Sequence, residues 1–348
     1  MATQIALTKL NLDVEVINYI PSYIRNDREI IRHDRGIKIF LLDSFHWHDR
    51  KRKLKKFQRF LGQNLHQTEP FYSFDEVDEI MDRYKMVVIG SDQVWNPSVT
   101  GGKLDPVYFG AFTKGIHGKY SYASSLGDSL QIDKESEEII KKYLADFNAV
   151  SVREESGCKW VRDHVGIDTK QGMDPTLLLQ KKEWETFIEK DSPWIHHTPY
   201  IFVYSVGRTK ELLEYARRVQ KTFNCDILVS NSVFRYPSRR TKYIYDDGPQ
   251  DFLSLIKNAA AVVTSSYHGT LFSVNFNVPF LSFPATHVKS NRSLELLKKI
   301  GLEDHFLDFS APYQENLLKI DWQTVNRNLD EKREACFDYL KKVAEGAK

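Results

Sequence analysis

Residues Ala259–Phe283, AAAVVTSSYHGTLFSVNFNVPFLSF, decide how the chain folds. Ala261, Val262 and Val263 form an apolar run too short for a helix and bounded by hydroxyl residues, which reads as a buried strand. Thr264, Ser265 and Ser266 follow, and side-chain oxygens there can cap the first N–H groups of a helix. His268, Gly269 and Thr270 fall on its opening turn, and Leu271–Asn277 carries it to Pro279, which stops it. Phe280–Phe283 is the next apolar strand. This is a strand–loop–helix–strand unit with a histidine where an open α/β sheet presents its ligands. A helix N-terminus suits a phosphate or carboxylate, and Gly269 has no side chain to obstruct that approach. His268 itself is compatible with a structural place as well as a catalytic one.

Working outward, the same alternation recurs. Upstream, Tyr200–Ser205 reads as a strand, Lys210–Thr222 as its helix, Asp226–Ser230 as the next strand and Gly248–Asn258 as the next helix. Downstream, Lys289 and Arg292 precede a helix at Ser293–Ile300, and Gln323–Ala344 is one long helix. In the N-terminal half, strands are expected at Val14–Tyr19, Met86–Ile89, Lys119–Leu126 and Ala149–Val152, with helices at Asp133–Phe147 and Ser156–Val165. The fold class is therefore α/β, with two doubly wound Rossmann-like domains. Residues 1–180 form the N-terminal domain, 181–322 the C-terminal domain, and 323–348 a helix packing back. The opening strand and phosphate-side loop usual in such a domain are missing before Val14, so a truncated start and a shortened first unit both stay open.

A chain of 348 residues is long enough for two cores, and 28% charged with 41% hydrophobic residues describes a globular protein. A net charge of +2 gives no global drive toward nucleic acid. Cys158, Cys225 and Cys336 are far apart, which argues against a disulfide framework and a zinc site, and no metal cluster is visible. No apolar run approaches the roughly 18 residues of a membrane span, so a cytoplasmic protein is expected.

Three further features carry chemistry. Gly90-Ser-Asp-Gln-Val-Trp-Asn-Pro97 places Ser91, Asp92, Gln93 and Asn96 around Trp95 in a loop after a strand. Trp95 would stack on a sugar face while the polar residues orient the ligand; a capped turn with a core tryptophan is the alternative. Arg153, at a strand end, would grip a carboxylate or phosphate in bidentate fashion, against an ion pair with Glu154 or Glu155. Residues 50–61 form a basic helix with Leu54, Phe57, Phe60 and Leu61 as its apolar stripe. Its outer face suits an anionic membrane surface or acidic glycan, or is simply solvated.

The motifs GSDQVWNP at 90–97, SYASSLG at 121–127, SVREESG at 151–157, DPTLLL at 174–179 and GPQDFLSLIKNAAAVVTSSYHGT at 248–270 together resemble the polysaccharide pyruvyl transferase family. The resemblance implies a GT-B-like pair of domains and transfer of the enolpyruvyl group of phosphoenolpyruvate to a sugar, leaving a pyruvate ketal. That sugar belongs to a polysaccharide or lipid-linked oligosaccharide. No cofactor is implied, with phosphoenolpyruvate as co-substrate; the expected place is the cytoplasm, with peripheral contact at the inner face of the membrane resting on the basic helix at 50–61. It also implies catalysis by His268 and Arg153, working from different domains. Substrate would be bound by Ser91, Asp92, Gln93, Trp95, Asn96, Ser265, Ser266, Gly269 and Thr270, with Lys289 and Arg292 neutralising the leaving phosphate. The family's opening strand and Asn-rich glycine loop are absent. A nucleotide-sugar glycosyltransferase on the same fold and an inactive glycan-binding relic are the other two readings.

Overall fold

The structure, a computed structural model, describes residues 1–27, 46–127, 132–190, 192–194, 198–232, 235–236, 238–285 and 292–346. The strands are β1 (Val16–Tyr19), β2 (Gln67–Phe71), β3 (Met86–Ile89), β4 (Gly118–Ser121), β5 (Val150–Val152), β6 (Thr169–Gln171), β7 (Tyr200–Tyr204), β8 (Asp226–Ser230), β9 (Thr241–Ile244), β10 (Ala261–Thr264) and β11 (Phe280–Ser282). The helices are α1 (Ala2–Thr8), α2 (Ser22–Asp27), α3 (Trp47–Asn64), α4 (Phe74–Glu79), α5 (Lys134–Leu144), α6 (Glu155–Trp160), α7 (Lys181–Glu185), α8 (Thr209–Phe223), α9 (Pro249–Lys257), α10 (Tyr267–Phe276), α11 (Arg292–Ile300) and α12 (Trp322–Glu345). The fold is α/β with parallel pairing, the class the alternating pattern predicts. Strands β2, β6 and β9 were not expected, because their sequences QTEPF, TKQ and TKYI lack an apolar run.

The chain divides into two compact units, Met1–Arg28 with Leu65–Leu178 and Asp330–Lys348, and Glu29–Asn64 with Leu179–Leu329. In the first unit β3 pairs with β4 and β5 with β6, all parallel. Single parallel bridges, Tyr120↔Ala149 and Ser124↔Val152, join the two pairs. The order is thus β3-β4-β5-β6, and the loops after β3, β4 and β5 share one edge. Behind them Trp95, Phe109, Leu126, Ile140, Leu144, Val152 and Val161 form the core. Helix α5 begins where it does because Asp133 accepts a 2.7 Å hydrogen bond from Ser136 N. From α12, Tyr339 donates 2.7 Å to Ser121 O, and Arg333 bonds Leu177 O, both within this unit.

The second unit is built on one parallel sheet of five strands in the order β11-β10-β7-β8-β9. Its central strands, YIFVY and AVVT, are apolar without alternation because helices cover both faces. Leu212, Leu213, Tyr215, Ala216 and Val219 of α8 pack on Ile201, Val203, Ile227 and Val263. The order runs outward from β7 in both directions. The loops that leave β7 and β10 therefore diverge, and the sheet has its topological switch point between them.

Helix α3 keeps Lys51, Arg52, Lys55 and Arg59 exposed, as a basic outer face requires, but part of that face is paired. It belongs to the second unit and pairs three of its basic side chains with aspartates of the loop before α9 and of the first turn of α9. Lys53 Nζ lies 3.1 Å from Asp247 Oδ1, Lys56 Nζ 2.8 Å from Asp251 Oδ2 and Arg52 Nε 2.9 Å from Asp246 Oδ2. Of the proposed apolar stripe only Phe60 is buried, while Phe57 is 41% exposed. A Cβ on Gly248 would stand 2.6 Å from Lys56 Cβ, so glycine there admits the helix.

Candidate functional site

In the second unit, α10 starts directly at the C-terminal end of β10. Ser266 is the N-cap, its hydroxyl accepting from Gly269 N at 3.3 Å, and its own N–H donates 3.0 Å to Thr264 Oγ1. His268 is exposed on this first turn, while Gly269 and the residues after it in the helix are buried. The imidazole thus stands at the edge of the switch point. Arg292, the first residue of α11, places its guanidinium 5.3 Å from the centroid of the ring of Tyr267, the residue before His268 in sequence. Lys289, proposed with Arg292 for the leaving phosphate, lies outside the described residues.

The other residues predicted around His268 have structural duties. Ser265 Oγ accepts from Val206 N at 2.9 Å, tying the loop after β10 to the loop after β7. Thr270 is fully buried, its hydroxyl 3.1 Å from Ser266 O and 2.8 Å from Ser282 Oγ. Gly269, expected to admit a ligand, also admits β10: a Cβ there would stand 2.5 Å from Thr264 Oγ1.

Sequence reasoning missed two residues at this edge. Arg208 (φ 53°) and Asn231 (φ 58°) hold left-handed conformations in the loops after β7 and β8. Asn231 Nδ2 donates 2.8 Å to Ser205 O, locking the two loops together. Backbone strain of this kind costs about 1–3 kcal/mol per residue and gathers where loops are held for a purpose. The segment Ser205–Thr209, a strand end with a glycine before a helix, is the sequence signal for Arg208.

In the first unit, the loop after β3 divides its predicted residues by environment. Trp95 corrects the expectation of a sugar platform. It is fully buried, stacked on Phe109 at 5.5 Å, and donates its indole N–H to Tyr108 O at 2.8 Å. Ser91 is partly exposed, with its hydroxyl oxygen turned inward. Asn96 Nδ2 bonds Gln93 Oε1 at 2.7 Å, and both pack so closely on Gly127 (φ 85°) that a Cβ there would be 2.3 Å from Asn96 Nδ2. Asp92 has an exposed carboxylate and a φ of 97°, rare for a residue with a side chain.

Arg153 is buried, and the structure realises the ion-pair alternative. Its Nε lies 3.1 Å from Glu154 Oε1 and its Nη1 3.1 Å from Asp174 Oδ2, with Asp92 Oδ1 3.8 Å from Nη2. Ser125 donates 2.6 Å to the same Glu154 oxygen, and Thr176 donates 2.8 Å to Asp174. Glu154 is the ion-pair partner the sequence offered, whereas Ser125 and Asp174 stand inside the recognised motifs without a role that the sequence assigns. Arg153 lies in the first unit and His268 in the second.

The family model described as polysaccharide pyruvyl transferase matches residues 1–286. The chain belongs to this family. No curated protein sequence matches it closely enough to count as a relative. Among solved structures, the chain is similar to the UDP-N-acetylglucosamine 2-epimerase of Rickettsia bellii, with 14% identity, 82% of this chain and 86% of that one covered, and a TM-score of 0.45. It is also similar to the glycosyltransferase SnogD of Streptomyces nogalater (12% identity, 99% and 94% covered, TM-score 0.44). A third is the ADP-heptose LPS heptosyltransferase II of E. coli (10% identity, 96% and 94% covered, TM-score 0.38). As a member of the pyruvyl transferase family, the chain is a transferase. Among the described residues no helix is long and apolar enough to cross a membrane, and no group of side chains could hold a metal ion.

Proposed function

We propose that the protein transfers the pyruvyl group of phosphoenolpyruvate to a sugar of a polysaccharide or lipid-linked oligosaccharide, as a cyclic ketal. The observation that carries this reading is His268, an exposed imidazole on the first turn of α10 at the switch point of the five-stranded sheet. Family membership supplies the reaction class.

The chemistry asks for little more than a proton in the right place. Protonated His268 delivers its proton to the methylene carbon, which becomes a methyl group, and C2 turns electrophilic. A sugar hydroxyl adds to C2 and gives up its proton to the imidazole. A second hydroxyl of the same sugar then closes the ring on C2 as the C2–O bond to phosphate breaks; phosphate leaves with the electron pair and takes up that hydroxyl's proton. The opening turn of α10 faces the donor's negative charge, and Arg292 beside it offsets charge on the leaving phosphate. No cofactor is called for beyond phosphoenolpyruvate.

The acceptor side is assigned to the loop after β3, through Asp92 and its neighbours Ser91, Gln93 and Asn96. We place the enzyme in the cytoplasm, at the inner face of the membrane if the acceptor is lipid-linked. Contact with anionic lipid through residues 50–61 would draw on the exposed Lys51 and Lys55, since Arg52, Lys53 and Lys56 are engaged with aspartates.

The test is phosphate release from phosphoenolpyruvate in the presence of a panel of lipid-linked sugars, by wild type and by His268→Ala. Because His268 is exposed, the substitution should leave stability unchanged and lower turnover by about 10²–10⁴-fold. Full activity in His268→Ala would remove the histidine from the mechanism. Release that requires a nucleotide-sugar instead would favour the glycosyltransferase reading.

A further inference from the structure

We propose that Arg153 is a positioning residue, not a donor clamp: it fixes the loops after β3 and β4 and presents Asp92 to a neutral, hydroxyl-bearing acceptor. The identity of that acceptor as a sugar rests on the pyruvyl transfer reading; the positioning does not.

Charge is the first argument. Three carboxylates, those of Glu154, Asp174 and Asp92, converge on one guanidinium. A donor carboxylate or phosphate reaching Arg153 would have to displace two buried carboxylates and add negative charge where it is already in excess. A sugar hydroxyl brings no charge and can donate to a carboxylate. Exposure selects which one. The side chains of Arg153, Glu154 and Asp174 are 3%, 3% and 4% exposed, whereas that of Asp92 is 69% exposed. Asp92 is the member of the cluster that meets solvent.

The backbone gives the second argument. Asp92 O accepts from Ser125 N at 2.9 Å, and Ser125 O accepts from Trp95 N at 3.1 Å. The Ser125 hydroxyl reaches Glu154, which Arg153 holds. Guanidinium, carboxylate, hydroxyl and loop thus form a closed ring that returns to Asp92. An aspartate at a φ of 97° persists only where its surroundings over-determine it, and this ring does so. Arg153 N also donates 3.0 Å to Ser124 O, so the same residue joins β5 to the loop after β4.

The full-length protein, Arg153→Lys and Asp92→Asn are compared by hydrogen–deuterium exchange over residues 90–97 and 121–127, by calorimetric titration with phosphoenolpyruvate, and by acceptor-dependent phosphate release. Lysine keeps the charge but not the fork, so Arg153→Lys should raise exchange in both segments and cut turnover while the phosphoenolpyruvate Kd is unchanged. Asparagine tolerates positive φ, so Asp92→Asn should keep native exchange and the same Kd, and should lose about tenfold or more in turnover, the worth of one charge-assisted hydrogen bond. A Kd weakened about tenfold or more in Arg153→Lys would make the arginine a donor clamp and overturn the proposal. Unchanged exchange in that variant, or full turnover in Asp92→Asn, would overturn it as well. Should Arg153→Lys fail to fold, Asp92→Asn decides: a weakened phosphoenolpyruvate Kd there contradicts the assignment to the acceptor. If wild type binds no phosphoenolpyruvate, the pyruvyl reading fails, and the exchange comparison still settles the positioning.

Discussion

Gly269 lies against Thr264 so closely that an added Cβ would stand 2.5 Å from Thr264 Oγ1 and 3.2 Å from its Cβ and Cγ2. The threonine cannot yield, because its hydroxyl donates 2.7 Å to Tyr204 O and accepts from Ser266 N. Gly269→Ala should therefore cost about 1–3 kcal/mol, as overpacking does, and tilt the first turn of α10 that carries His268. Thermal denaturation with Thr264→Ala and the double variant checks this: the two losses should be less than additive, whereas simple additivity would mean the two residues do not press on each other.

Trp95 fills the core of the first unit, with Phe109 stacked on one side and Phe147 meeting it edge-on. Trp95→Ala should destabilise by about 3–5 kcal/mol, and Trp95→Phe by much less. Urea unfolding measures the loss. A variant that is fully stable but weak in acceptor binding would restore the stacking role.

The basic face of α3 should report on stability more than on lipid. Lys53 is part-exposed but faces the buried Asp247. Lys53→Glu should lower stability by about 1–2 kcal/mol, a value discounted from that of a fully buried pair for solvent screening. Flotation with anionic vesicles provides the contrast. Lost vesicle binding at unchanged melting temperature would return this helix to the membrane.

His305 gives the second unit a pH dependence. Burial holds its pKa below the ordinary 6.5, neither ring nitrogen has a hydrogen-bond partner among the described residues, and the ring packs 5.4 Å from Phe280. The folded state therefore prefers the neutral ring. This contribution is complete above pH 6.5 and is lost as pH falls through the lower folded value. His305→Phe should flatten the melting temperature between neutral and mildly acidic pH. An unchanged acid slope in that variant would place the titrating group elsewhere.

Much of the second unit was legible because its elements repeat one pattern of short apolar strand, polar loop and amphipathic helix. The recognised motifs were equally visible in the first unit, but the roles of their residues were not. Trp95 looks the same on paper whether it faces a sugar or Phe109. Arg153 beside Glu154 reads as a clamp or a pair, and only the position of Asp174, 21 residues away in sequence, decides it. The glycine in YHGT is demanded equally by an incoming anion and by a strand in contact. Helix α3 was found from its periodicity, yet the sequence holds no sign that Asp246, Asp247 and Asp251 would meet its lysines and arginine nearly two hundred residues away.

Pyruvyl transfer itself is tested most directly in deuterated water. Phosphoenolpyruvate and the panel of lipid-linked sugars are incubated with the protein, and the product is weighed by mass spectrometry. Protonation of the methylene carbon by an exchangeable imidazole predicts a sugar heavier by phosphoenolpyruvate less phosphoric acid, with a single deuterium in the new methyl group, and one phosphate released per ketal. A glycosylated product, phosphate released without any acceptor gaining mass, or a methyl group free of deuterium would contradict the account.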